Sequence, residues 1–311
     1  MIRVQWPEGK SFAFTVFDDT DRAVPGNYEA VYALLRDCGM LTTKSVWPLR
    51  GFRTPKIGGA TCEDQAYAAH MLELQREGFE IGFHGATYHM VERPFIERSL
   101  NRFRELFGHD PRTMANHSDS VDGIYWGDAR VSGIHRWAYN AFSSARNKGA
   151  FHGHEASSPH FWGDLCRDRI DYVRNFITGD INTLKAFPFI PYHDRDRPLV
   201  KQWYASSEGP EVLSFNRTIS ERNQDRLEAE GGACIMYTHF AAGFQDTSGQ
   251  LNLRFRHLIE RLSRKNGWFV PTATLLDYIR RQRGEHVLTC SERARMERTW
   301  LRHKIRVGGT S

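Results

Sequence analysis

The strongest constraint on this chain is the stretch at residues 11–21, SFAFTVFDDTD, where an apolar run stops abruptly at Asp18, Asp19 and Asp21. The run at residues 12–17 is short and rich in β-formers, which predicts a buried strand. A strand that delivers carboxylates at its C-terminal end is how parallel α/β folds build sites. A polar turn after a strand leaves the same trace. A second run, FEIGF at residues 79–83, leads into His84 and then His89 within HGATYH. One carboxylate with two imidazoles is a metal-ligand set.

The rest of the chain repeats the alternation of short apolar runs with helical patterns. Strands are predicted at residues 43–48, 112–117, 171–177, 211–215, 233–239 and 268–270. Between them, Tyr28, Val31, Leu34 and Leu35 form the apolar face of one helix, and Thr61 opens another at residues 62–77. Further helices are predicted at residues 92–107, 220–230, 250–265 and 272–283. Residues 126–160 read as an elaborated loop region with one helix at 128–139, and residues 185–196 as irregular. About seven strands alternating with helices argue for an α/β fold, a distorted (β/α) barrel in a single domain. That domain is expected to span residues 1–283, with residues 284–311 as a basic C-terminal tail.

With 311 residues and a net charge of +5, the chain has room for one large α/β domain and only a mild basic excess, much of it near the C-terminus. No nucleic-acid reading module accompanies that charge, so nucleic acid is not an expected partner. The five cysteines are scattered and form no CxxC pair. This argues against a disulfide framework or a cysteine zinc site and fits a reducing, cytoplasmic setting. The N-terminus shows no apolar signal segment, and no window has the length of a membrane span.

Polar clusters follow four predicted strands: Asp18/Asp19, His84/His89, Asn116/His117 and His239. In a β/α barrel those strand ends share one face. His84 and His89 are five apart, which on a helix places them roughly 140° from one another. They can share one metal only if Gly85 opens a non-helical loop. His152, His154, Glu155 and His160 lie in a Ser/Gly-rich tract with no strand context, which reads as a surface loop. Trp126, Trp162, Trp203 and Tyr204 fall in predicted loops, where they either stack on a sugar ring or bury themselves. In the tail, helical spacing groups Met296, Trp300 and Leu301. A basic amphipathic helix of this kind lies on anionic lipid or packs back on the barrel.

FTVFDDT, followed by FEIGFHGATYH and IMYTHF, resembles the polysaccharide deacetylase (NodB homology) family of metal-dependent deacetylases. The resemblance runs in motif order from about Phe12 to Tyr278. It implies Asp18 as general base, Asp19, His84 and His89 as ligands of a divalent metal (zinc), and His239 as general acid. The chain departs from the family in several places. Thr20 stands where the first motif has Gly, and the histidine pair has one extra intervening residue. The R-x-P-x-G motif, whose Arg steadies the base, is absent after the fourth strand, and Arg174 is the substitute offered by DYVRNFI. Asn116, His117, Trp126 and Arg174 are the expected substrate-binding residues.

The chemistry is consistent with that resemblance. A metal held with open positions activates water against an amide or ester carbonyl. A neighbouring carboxylate takes the proton. The expected function is removal of an acyl group, acetyl in the simplest case, from an N- or O-acetylated sugar or polysaccharide. The alternatives are hydrolysis of a small non-sugar amide, as by allantoinase-like C–N hydrolases, and a catalytically inactive carbohydrate-binding barrel. The tail is expected to be dispensable for chemistry, and nothing in the sequence sets the oligomeric state.

Overall fold

The computed structural model describes residues 4–118, 120–144 and 147–307. Eight strands form its centre: β1 (Phe12–Asp18), β2 (Thr43–Val46), β3 (Glu80–Phe83), β4 (Thr113–Met114), β5 (Tyr172–Thr178), β6 (Gln202–Glu208), β7 (Ala233–Thr238) and β8 (Gly267–Phe269). Every pairing between them is parallel. The order β2-β3-β4-β5-β6-β7-β1-β8, with an added β1–β2 pairing, closes the first seven strands into a barrel.

The closing seam is split. β7 runs along one edge of β1 from Ala13 to Asp18. On the other edge, Phe12–Phe14 pair with β8, while Phe17 and Asp18 pair with Thr43 and Lys44 of β2. All seven residues of β1 are buried, as expected of a strand covered on both faces.

The helices α1 (Glu29–Asp37), α2 (Gln65–Arg76), α3 (Arg93–Phe107), α4 (Gly133–Phe142), α5 (Gly163–Arg169), α6 (Thr183–Ala186), α7 (Val212–Thr218), α8 (Glu221–Glu230), α9 (Leu253–Ser263), α10 (Thr272–Arg283) and α11 (Cys290–Val307) surround the barrel. Because all strands run the same way, β1, β3, β4 and β7 deliver the residues that follow them to one end.

Three expectations change here. Residues 211–215 are not a strand. Glu211 accepts hydrogen bonds from the Leu213 and Ser214 backbone N–H groups, and the Ser214 hydroxyl meets the Glu211 N–H, a capping box that starts α7. The sixth strand is instead QWYASSE, so Trp203 and Tyr204 belong to the barrel wall and are buried. Trp162 is also buried, with its indole N–H on the Asp122 carbonyl at 2.7 Å.

The third change concerns the C-terminal segment. α11 packs against β5 and α4 with Met296, Trp300 and Leu301 buried. Trp300 sits 5.4 Å from the Tyr139 ring and 5.7 Å from Phe176. Residues 308–311 of the expected tail lie outside the described residues. Among the described residues, no helix is long and apolar enough to cross a membrane.

Candidate active site

The C-terminal end of β1 sorts its acids by side. Successive residues of an extended chain face opposite ways, while positions i and i+2 share a face. Asp18, expected as the base, points away from the barrel interior. Its Oδ2 lies 2.8 Å from Lys44 Nζ and accepts the Tyr32 hydroxyl of α1 at 2.9 Å. Its Oδ1 accepts the Phe240 N–H at 2.8 Å. Asp18 thus ties β1 to β2, α1 and the segment after β7, and it does not line the pocket at this end.

Asp19 and Asp21 turn the other way, into a pocket of about 400 Å³. Asp19, expected as a metal ligand, is gripped instead by Arg174 of β5. The guanidinium donates through Nη1 to Oδ1 at 2.9 Å and through Nη2 to Oδ2 at 2.5 Å. Both partners are 4% exposed, so neither is neutralised by water. The faces of Phe17 and Tyr237 flank the same guanidinium at 5.3 and 4.4 Å. Arg174, offered in the sequence as the substitute for the missing motif arginine, thus pairs with Asp19 and not with Asp18.

Asp21 is the centre of the histidines. His84 Nε2 lies 3.1 Å from Oδ1, His117 Nε2 lies 3.5 Å from the same oxygen, and His239 Nε2 lies 3.4 Å from Oδ2. Burial alone would raise the Asp21 pKa, but His84, His239 and His117 together hold it well below the usual carboxylate range. The ligand atoms of Asp21, His84 and His117 lie within 4.8 Å of one another, all on buried residues. His84 Nδ1 is buried with no hydrogen-bond partner among the described residues, 3.9 Å from Asp19 Oδ1.

Trp47 backs this cluster, its ring 5.8 Å from His84 and 5.5 Å from His117. Its indole N–H fixes the His84 carbonyl at 3.1 Å. One carboxylate and two imidazoles, facing a pocket on one side only, fit a divalent ion of the zinc type with a position left open.

His89 is not part of that set. Gly85 does open a loop, with φ of 93°, but the loop carries His89 elsewhere. His89 Nε2 accepts the Phe52 and Arg53 N–H groups at 3.0 and 3.3 Å, and Nδ1 donates to the Met90 carbonyl at 2.8 Å. His117, expected to bind substrate, takes the place that His89 was given. The His152–His160 tract does not join it either. His152 pairs locally with Glu155, and His160 donates to the Val91 carbonyl.

His239 follows β7 and lines the pocket. Its Nδ1–H donates to the Pro210 carbonyl at 2.7 Å, which turns Nε2 toward Asp21. Burial disfavours its charged form, but Asp21 outweighs that and raises its pKa. Asn116 also reaches the pocket, though its amide is engaged with both backbone groups of Ile124 and holds the following loop. Trp126 lines the pocket, as do Arg130, Glu208 and Lys304, none of which the sequence singled out.

No family model matches the chain, and no curated protein does. Among solved structures, it is similar to a protein described as a polysaccharide deacetylase from Mycobacterium smegmatis, with 12% identity over 93% of this chain and 97% of that one and a TM-score of 0.49. It is similar to Puue allantoinase, with 12% identity over 91% and 95% and a TM-score of 0.48. A protein described as a polysaccharide deacetylase from Pseudomonas aeruginosa PAO1 gives 11% identity over 91% and 95%, with a TM-score of 0.48. Similarity of this degree identifies neither a family nor a substrate.

Proposed function

We propose that this chain is a metal-dependent hydrolase that cleaves an acyl C–N bond, other than a peptide bond, in a small substrate. The observation that carries the reading is the convergence of three devices on one pocket: the Asp19–Arg174 pair, the Asp21/His84/His117 cluster and His239. Their residues follow β1, β3, β4 and β7, with Arg174 inside β5, so local sequence alone does not explain their meeting.

Asp21, His84 and His117 would hold the metal. Bound there, a divalent ion supplies Lewis-acid polarisation and a water nucleophilic near neutral pH. Asp19 takes the proton of the attacking water as general base. Arg174 is a positioning residue. Its two hydrogen bonds fix the plane of the Asp19 carboxylate, while each oxygen retains a lone pair for the water. His239 delivers a proton from Nε2 to the leaving nitrogen. The Pro210 carbonyl holds its ring orientation. The buried Trp47 closes the back of the cluster to bulk water.

A pocket of about 400 Å³ with part of its wall supplied by Lys304 and Val307 of α11 suits a small molecule, an N-acetylated sugar or a non-sugar amide, better than a polymer chain. The test is turnover of metal-loaded protein on N-acetylated monosaccharides, chito-oligosaccharides and cyclic or linear small amides, read as released acetate or amine. Hydrolysis confined to small substrates and lost in Asp19→Asn supports the reading. No hydrolysis across the panel, or full activity in Asp19→Asn, contradicts it.

A further inference from the structure

Arg130 is a buried cation that this chemistry leaves unused. It ends a short 3-10 turn, Gly127–Arg130, and is 1% exposed. Its guanidinium carbon lies 3.4 Å from the centre of the Trp126 ring and 4.8 Å from that of Trp300. Among the described residues, Nε and Nη2 are buried with no hydrogen-bond partner, and no carboxylate pairs with the guanidinium. A buried charge without a counterion is costly, and burial pushes the Arg130 pKa down to about 9.

A second cation shares the pocket. Lys304 of α11 is buried, and its Nζ lies 3.8 Å from Glu208 Oε2. The other oxygen of Glu208 is held by His303 Nε2 at 2.6 Å. One carboxylate is thus divided between an imidazole and Lys304, while Arg174 is already neutralised by Asp19. The wall carrying Arg130 and Lys304 is left with an excess of positive charge, within the pocket that holds Asp21, His84 and His239. The planar fork of a guanidinium stacked on aromatic rings is the arrangement that receives a carboxylate edge-on.

We propose that the substrate carries a carboxylate, and that Arg130 and Lys304 bind it in the pocket whose other wall performs the hydrolysis. This deepens the hydrolase reading by naming the substrate class, an anionic acylamide. The anion site itself does not depend on turnover. Trp126 and Trp300 hold the Arg130 guanidinium in place, and Lys304 adds the second positive charge.

The test is calorimetric binding to the full chain of two anions, succinamate and acetate, beside their neutral isosteres succinamide and acetamide, with inorganic phosphate as a third anion. Wild type should bind at least one carboxylate about tenfold or more tightly than its neutral partner, the scale of a hydrogen-bonded charge. Arg130→Gln and Lys304→Met should each reduce that preference, and Asp21→Asn should keep it. Circular dichroism checks folding. If Arg130→Gln does not fold, the wild-type preference and its reduction in Lys304→Met decide. No preference in wild type, or an unchanged one in the folded variants, overturns the proposal. Phosphate binding tighter than either carboxylate, and lost in the same variants, overturns the carboxylate assignment. A charge preference in a protein that hydrolyses no amide leaves the anion site standing and sinks the hydrolase reading alone.

Discussion

Asp19 continues the alternation of β1 and so falls on the face opposite Asp18, and Asp21, in the turn that follows, lines the same pocket. The residue after β1 could have been assigned from the sequence: if Ala13, Thr15 and Phe17 face one way, so does Asp19. What the sequence did not show was which face was the interior, since both sides of β1 are buried. Asp19→Asn should keep its metal and lose turnover by roughly 10²–10⁴-fold, measured under single-turnover conditions beside metal content. Loss of metal with turnover would make Asp19 a ligand rather than a base. Arg174→Met leaves the Asp19 carboxylate buried without its partner and should cost about 3–5 kcal/mol in urea unfolding. The Asp19→Asn/Arg174→Met double variant should cost less than the sum of the two single changes. Additive costs would mean the pair is not coupled as its geometry implies.

At the scale of elements, most of the alternation of strands and helices could be read from periodicity, and the failures have local causes. In β6, Ser206 and Ser207 are both buried, Ser207 with its hydroxyl on Thr183 and the Asp180 carbonyl, and these polar residues hide the apolar run that marks the other strands. At α7, Val212, Leu213 and Phe215 read as β-formers, but the Glu211–Ser214 capping box decides for a helix. α11 was foreseen as an amphipathic helix. The surface it covers, on β5 and α4, is assembled only in the fold.

A chain ended after Arg283 was expected to remain functional. With Trp300 packed on Tyr139 and Phe176, its removal should instead destabilise the barrel and expose apolar surface to a hydrophobic dye. Trp300→Ala alone should cost about 3–5 kcal/mol. A truncated chain with an unchanged denaturation midpoint would contradict this. The Glu208 contact adds a pH dependence. Burial raises its pKa, but His303 and Lys304 outweigh that and bring it below its ordinary 4.5. Because the folded value is the lower one, the contribution of Glu208 is complete above about pH 5 and is lost as pH falls through the folded value. Glu208→Gln should therefore flatten the acid limb of the stability curve, and an unaltered limb would show that the contact stores no such energy.

Across the whole molecule, the parallel barrel brings β1, β3, β4 and β7 to one end, and this is why scattered motifs become one site. The expectation that strand-end histidines converge came from that architecture, and it held for His84, His117 and His239 around Asp21. Motif order misled at His89, because the loop after Gly85 folds back on residues 52 and 53, and at Asp18 and Asp19, which pair with Lys44 and Arg174 while Asp21 joins the histidines. The central claim is that Asp21, His84 and His117 form a metal centre. It is tested most directly by elemental analysis of protein purified without added metal, with folding checked by circular dichroism. One divalent ion per chain is expected in the parent protein, in His89→Ala and in Asp19→Asn, and a loss of most of it in His117→Ala and in Asp21→Asn. Full metal content in His117→Ala, or its loss in His89→Ala, would contradict that centre.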